Sequence, residues 1–184
     1  NLSDELLYKA KNSGRNRVES SHYDDNTTTV LSISKIRDIL ESNDVHLNYY
    51  PVVSKNNKIL FHESYVKLKY NNKIINPSEF MHIISGSTVY SEFIKKIIGL
   101  NIKAIEDEKL NVAVNIEISD LKNDSIYEFI VDILNKKTIP KLYISISNKF
   151  NTQINVSKDI LLNDRISFLR KMNVEFILNG LSCI

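Results

Sequence analysis

Across residues 91–105 the apolar positions Phe93, Ile94, Ile97, Ile98 and Ile105 fall on one broad stripe, the spacing of a helix that buries one side. The same period predicts a helix over 125–134, with Ile126, Phe129, Ile130, Ile133 and Leu134 inward. A further helix is predicted over 159–171, built on Ile160, Leu161, Ile166 and Leu169. Between these stretches the period drops to two. Residues 111–118 set Val112, Val114, Ile116 and Ile118 against Ala113, Asn115 and Glu117. Residues 142–147 set Leu142, Ile144 and Ile146 against Tyr143, Ser145 and Ser147, and 174–178 reads as a final strand. Residues 34–41 read as a short helix with a serine cap. In Asn76-Pro77-Ser78-Glu79, Asn76 caps, Pro77 suits the first helical position and Glu79 returns to the cap's amide. That assigns Glu79 to capping rather than to chemistry. Strands alternating with helices at this rhythm predict βαβ units and a parallel sheet, an α/β fold.

One strand carries an unusual face. In Phe61-His62-Glu63-Ser64-Tyr65-Val66-Lys67-Leu68, alternation puts Phe61, Glu63, Tyr65 and Lys67 on one side. A carboxylate and an ammonium therefore stand among aromatics. Four residues of strand span about 13 Å, so Glu63 and Lys67 do not pair directly and each needs another partner. The stretch is either a strand at a wet sheet surface or one that points Glu63 into a site. His62 lies on the opposite side and reads as packing. A second strand, Leu47-Asn48-Tyr49-Tyr50-Pro51-Val52-Val53, precedes it across a turn at 54–58.

Composition narrows the class. The 184 residues are 42% hydrophobic and 25% charged with a net charge of +2, as in a soluble globular domain without the basic field of a nucleic-acid binder. A single cysteine, Cys183, rules out a disulfide framework within the chain and fits a reducing, cytoplasmic setting. His22, His46, His62 and His82 are scattered without metal-site spacing. No apolar run reaches membrane-spanning length, and no signal-peptide pattern opens the chain. No nucleic acid and no membrane contact are expected. Residues 2–18 read as an amphipathic helix on Leu6, Leu7 and Ala10 that stops at Gly14. Residues 19–29 are polar and aperiodic, a linker. The abrupt helical opening suggests a fragment of something longer.

Two sets of letters carry a family resemblance. Tyr-Tyr-Pro-Val-Val at 49–53, a turn, then Glu63-Ser64-Tyr65 followed by Lys67-Leu68 resembles the opening of an EAL domain, the cyclic di-GMP phosphodiesterase family. That family carries Tyr-Gln-Pro-Ile-Val, then Glu-Ala-Leu and an Arg-Trp pair. Asp4, Leu7, Tyr8, Ala10, Lys11 and Gly14 to Val18 likewise resemble the last helix and exit of a GGDEF domain, the diguanylate cyclase family. The implied layout is 1–18 as that helix, 19–33 as linker and 34–184 as an EAL domain. The implied fold is an EAL-type, TIM-like β/α barrel with an antiparallel first strand. A full barrel takes about 250 residues, and five predicted strands cover only part of one. The edge at 174–178 would then need a cover.

The resemblance also implies a site. The family's metal ligands fall on Glu63, Asn115, Ser145, Asn179 and Gly180, with Asn148 in place of a further Glu. Its nucleotide-lining Gln, Leu and Arg become Tyr50, Tyr65 and Lys67, which with Glu63 and Asn115 form a vestigial nucleotide site. Two hard cations require oxygen ligands, largely carboxylate. Four expected carboxylates have become one. Lys67 keeps a charge without the bidentate fork of arginine. The expectation is a catalytically inactive EAL-like domain with no cofactor, Mg²⁺ or Mn²⁺ being expected only if the family activity were retained. It would act as a regulatory or protein-interaction module in cyclic di-GMP signalling. The expected partners are a second copy, the GGDEF domain, or cyclic di-GMP itself. The alternatives are a non-hydrolysing cyclic di-GMP receptor and an active phosphodiesterase.

Overall fold

A computed structural model describes residues 31–42, 44–136, 139–147 and 159–179. The predicted helix at 2–18 and the linker at 19–29 lie outside these residues. Helix α1, Ile33–Glu41, is capped by Ser32, whose Oγ accepts from the Lys35 amide at 3.3 Å. The capping serine is therefore one turn-start earlier than the 34–41 pattern suggests. Strand β1, Val45–Val53, pairs antiparallel with β2, Ile59–Tyr70, from Val45 opposite Leu68 to Pro51 opposite His62.

Strand β3, Lys73–Ile75, adds a sixth strand to the five predicted. It is too short for alternation to show. The turn before it holds the signal: Asn71 and Asn72 have φ of 48° and 61°, the left-handed pair that a two-residue hairpin turn needs and that asparagine tolerates. Helix α2, Pro77–Ile84, starts as predicted, with the Asn76 amide donating to Glu79 Oε2 at 2.7 Å. Helix α3, Thr88–Glu108, is the longest element and ends at Lys109 in the left-handed region.

Strand β4, Val112–Ile116, stops two residues short of the predicted end, because Glu117 caps the short helix α4, Ile118–Lys122. Helix α5, Asp124–Lys136, strand β5, Leu142–Ser147, helix α6, Ile160–Lys171, and strand β6, Val174–Asn179, complete the order. In α6 the inward stripe differs from prediction. Ile160 and Leu161 are 77% and 50% exposed, whereas Leu162 and Leu169 are fully buried. Asp159 is the cap, accepting from the Leu162 amide at 3.1 Å. The stripe therefore runs 162, 166, 169, the spacing of one helical face.

The sheet order is β1-β2-β4-β5-β6, with β3 on the free part of β2. Only β1 and β3 run antiparallel; β2, β4, β5 and β6 are parallel. Helix α3 lays Phe93, Ile94, Ile97, Ile98, Ile102 and Ile105 into the core, and Phe93 meets Phe80 of α2 edge-on at 5.2 Å. Among the described residues β6 pairs only with β5.

Candidate functional site

Sheet register fixes which side chains meet. Glu63 pairs with Ala113, Ala113 with Tyr143, and Tyr143 with Glu175. One step up each strand, Asn115 pairs with Ser145 and Ser145 with Ile177. Paired residues share a face, so Glu63, Tyr65, Asn115 and Ser145 lie on one side of the sheet. On the antiparallel side Tyr50 pairs with Glu63, Asn48 with Tyr65 and His46 with Lys67. The structure thus gathers Tyr50, Glu63, Tyr65 and Asn115 with Ser145 on one face, and Lys67 lies a further step along it. Asn179 pairs in register with Ser147. Gly180, Asn148 and Cys183 lie outside the described residues.

The partner that Glu63 needs is Tyr65. The Tyr65 hydroxyl donates to Glu63 Oε2 at 2.9 Å. Residues two apart on a strand project on the same side, which makes this contact available without bending the chain. The hydrogen bond to the Glu63 carboxylate, with its charge, pushes the Tyr65 phenol above its ordinary value. Tyr65 in turn meets Tyr50 edge-on, ring centroids 5.4 Å apart. Both rings are about half exposed, at 49% and 53%. Aromatic surface this open on a sheet face can stack on a planar ligand or on another protein.

The neighbouring positions are poorer in charge. Asn115 Nδ2 donates to the Ser64 carbonyl at 3.4 Å, across the point where β2 and β4 begin to separate. Ser145 is fully buried, and among the described residues its Oγ finds no hydrogen-bond partner. His62 points to the other side, as the alternation predicted, half-buried, with Nδ1 unpartnered among the described residues. Among the described residues no three His, Cys, Asp or Glu side chains form a group that could hold a metal ion.

Two features escaped the sequence reading. Tyr143 stacks on Phe61 at 5.5 Å, so the aromatic face runs from β1 across to β5; the alternation of 142–147 put Tyr143 on this side, but not within reach of Phe61. The second is a buried acidic group at the end of β4. Asp120 is 1% exposed and accepts from the Glu117 amide at 2.8 Å. The Tyr90 hydroxyl also donates to it. Burial pushes the Asp120 carboxyl up, against the Glu117 amide and the Tyr90 hydroxyl, which pull it down. Burial and the nearby Asp120 carboxylate raise the Tyr90 phenol as well. The Glu-x-x-Asp spacing after the strand was the available signal, a capping box with its usual residue types changed.

The sequence profile of the EAL domain family matches residues 33–181. Solved structures of similar shape include the EAL domain of FimX from Xanthomonas citri in complex with cyclic di-GMP, at TM-score 0.66 and 14% identity, over 78% of this chain and 58% of that one. An EAL domain protein from Listeria monocytogenes aligns at TM-score 0.64 and 21% identity, over 81% of this chain and 60% of that one. The S helix-GGDEF-EAL portion of Vibrio cholerae LapD, bound to cyclic di-GMP, aligns at TM-score 0.69 and 18% identity, over 98% and 45%. At these identities the likeness establishes the fold, and the chain spans less than two thirds of each structure. No curated protein sequence matches the chain.

Proposed function

The chain belongs to the EAL domain family, and from that premise we propose that its sheet face serves a cyclic di-GMP signalling protein as a regulatory or protein-interaction surface without hydrolysing the nucleotide. The observation that carries this is the Tyr65 hydroxyl on Glu63 at 2.9 Å. The face's one carboxylate among the family's ligand positions is already satisfied by a neutral donor. Beside it stand an amide, Asn115, and a hydroxyl, Ser145.

The family activity relies on two divalent cations held by oxygen ligands. Hard cations of this kind want several carboxylates at fixed positions. One carboxylate, one amide and one buried hydroxyl do not fit that need. The residues present do not match a two-cation centre, and no hydrolytic step is derived through one.

A second reading is favoured by a specific observation. Tyr50 and Tyr65 expose their rings beside Glu63, and FimX and LapD were solved with cyclic di-GMP bound. A non-hydrolysing receptor could stack a guanine on this pair. As an interaction module, the same face would meet a second copy or a GGDEF domain. Among the described residues no helix is long and apolar enough to cross a membrane.

Calorimetric titration of the 184-residue chain with cyclic di-GMP, with and without Mg²⁺, separates these readings. The interaction module gives no saturable heat. Saturable, Mg²⁺-independent binding establishes the receptor. Release of linear dinucleotide in Mn²⁺ overturns both.

A further inference from the structure

Helix α6 carries a second stripe besides the one it buries. Leu162, Ile166 and Leu169 join the core with Ile144 and Ile146, on the side of the sheet away from Glu63. Leu161, Asp164, Phe168 and Lys171 follow one another at steps of three, four and three, the spacing of a seam along which two helices pack. Phe168 is 46% exposed, and Ile160 and Leu161 at the start of the seam are more open still. Among the described residues no other helix shows more than one exposed large apolar side chain.

The charges on this stripe have no use within the chain as described. Asp164 and Lys171 sit two turns apart, about 10 Å along the axis, too far to meet. Among the described residues neither forms an ion pair. The other cations of α6 are engaged: Arg165 pairs with Asp124 and lies over the Tyr127 ring, and Arg170 lies over Phe176. On α5 the outward Asp132 is answered by Lys136 one turn on. An acid and a base on one face with an aromatic ring between them are self-complementary across a two-fold axis. With the axis beside Ser167, antiparallel packing lays Phe168 of each copy on the helix of the other. It brings Asp164 of each within a turn of Lys171 of the other, and Leu161 to the half-buried Met172. Parallel packing would set Asp164 beside Asp164 and Lys171 beside Lys171, so charge selects the antiparallel pair.

We propose that α6 is a self-docking surface, through which two copies of this chain pair antiparallel along Leu161, Asp164, Phe168 and Lys171. A second copy is one partner of the function proposed above, but here it sits on the helical side and leaves the Glu63 face open. The contact is small. One helix per copy falls below the roughly 1,200 Å² of a standard interface, so the dimer forms at a Kd on the order of 100 μM.

Sedimentation velocity of the 184-residue chain, from about 5 μM to about 500 μM, spans that equilibrium. Phe168→Ser is expected to weaken the dimer by at least about tenfold, with Leu161→Ser as the second variant should the first fail to fold, as judged by thermal melting. Asp164→Lys and Lys171→Asp each set like charges against each other at both contacts and are expected to weaken it by about fivefold. Mixed in equal amounts, these two variants restore opposite charges at both contacts and are expected to pair as tightly as the parent. A chain that stays monomeric throughout, a dimer that Phe168→Ser leaves intact, or a mixture no tighter than its components overturns the proposal. A dimer lost in Tyr50→Ala and kept in Phe168→Ser puts the second copy on the Glu63 face, which overturns it while sustaining the interaction reading above.

Discussion

The contact between Tyr65 and Glu63 can be measured as a coupling energy. Tyr65→Phe removes the hydroxyl and keeps the ring that meets Tyr50 at 5.4 Å. Glu63→Ala removes the carboxylate. A hydrogen bond to an ionised acceptor contributes about 1.5–3 kcal/mol when sheltered. Tyr65 is 49% exposed, so solvent screening brings the expected coupling down to about 1 kcal/mol. The edge contact between the rings survives in Tyr65→Phe and cancels in the cycle. Urea unfolding of the parent, the two single variants and the double variant gives the value, read by circular dichroism because the chain has no tryptophan. A second readout is independent of stability. With ring-labelled tyrosine, the Tyr65 phenol should titrate above its ordinary value in the parent and fall back toward 10.0 in Glu63→Ala. The sign is fixed by linkage: the folded state holds this proton more tightly, so the contribution is full below the ordinary tyrosine range and is lost as pH rises through the raised value. A coupling below about 0.3 kcal/mol, within the additivity expected of independent sites, together with an unmoved phenol, would refute the idea that Tyr65 satisfies Glu63.

Three further outcomes follow from the same structure. Ser145→Ala removes a fully buried hydroxyl whose Oγ has no partner among the described residues, and should stabilise the fold by about 1 kcal/mol in urea unfolding; a loss of that size would mean the hydroxyl is bonded. Glu79→Ala breaks the bonds from the Asn76 amide and side chain to Glu79 Oε2, at 2.7 and 3.2 Å, and should cost about 1 kcal/mol, with no loss meaning that the box is formed by water instead. Burial holds the Asp120 carboxyl above its unfolded value, so the stability linked to it is full below the ordinary aspartate range and falls as pH rises through the raised value. Asp120→Asn keeps an acceptor for the Glu117 amide and should remove that fall, gaining on the parent as pH rises above the ordinary aspartate range; a change in the opposite direction refutes the burial argument. Asp159, whose carboxyl is lowered by Lys122 and the Leu162 amide, carries the opposite slope and cancels in the comparison.

Much of the fold was legible because most elements bury one face. The stripe of α3 and the alternation in β5 and in β4 up to Ile116 place the side chains correctly from spacing alone, while Glu117 and Ile118, read as strand, belong to the cap and start of α4. Legibility failed where a local contact outweighed the pattern. In α6 three consecutive residues, Ile160, Leu161 and Leu162, are equally apolar, and only the Asp159 cap decides that Leu162 faces inward. β3 is three residues long and is specified by the backbone of Asn71 and Asn72, not by hydrophobicity. At the site, alternation put Glu63 and Tyr65 on one face and excluded a pair with Lys67. It could not show that Tyr65 itself supplies the missing partner, because that depends on a rotamer. The parting of β2 from β4 beyond Glu63 was illegible for a different reason. Strand divergence is a property of register between segments some fifty residues apart, as the contact from Asn115 to Ser64 shows.

The distribution of charge on the Glu63 face has a physical consequence. Neighbouring parallel strands lie about 4.8 Å apart, so carboxylates in one register row would stand about 5 Å from each other. At an effective dielectric near 20, each such pair repels by about 3 kcal/mol. A metal-free face carrying several of them would consume much of the roughly 5–15 kcal/mol that holds a domain folded. In this chain Asn115 and Ser145 are neutral, and Glu63 is answered by the Tyr65 hydroxyl. The described part of the face therefore carries no such repulsion, which is the electrostatic ground for the contact role proposed above.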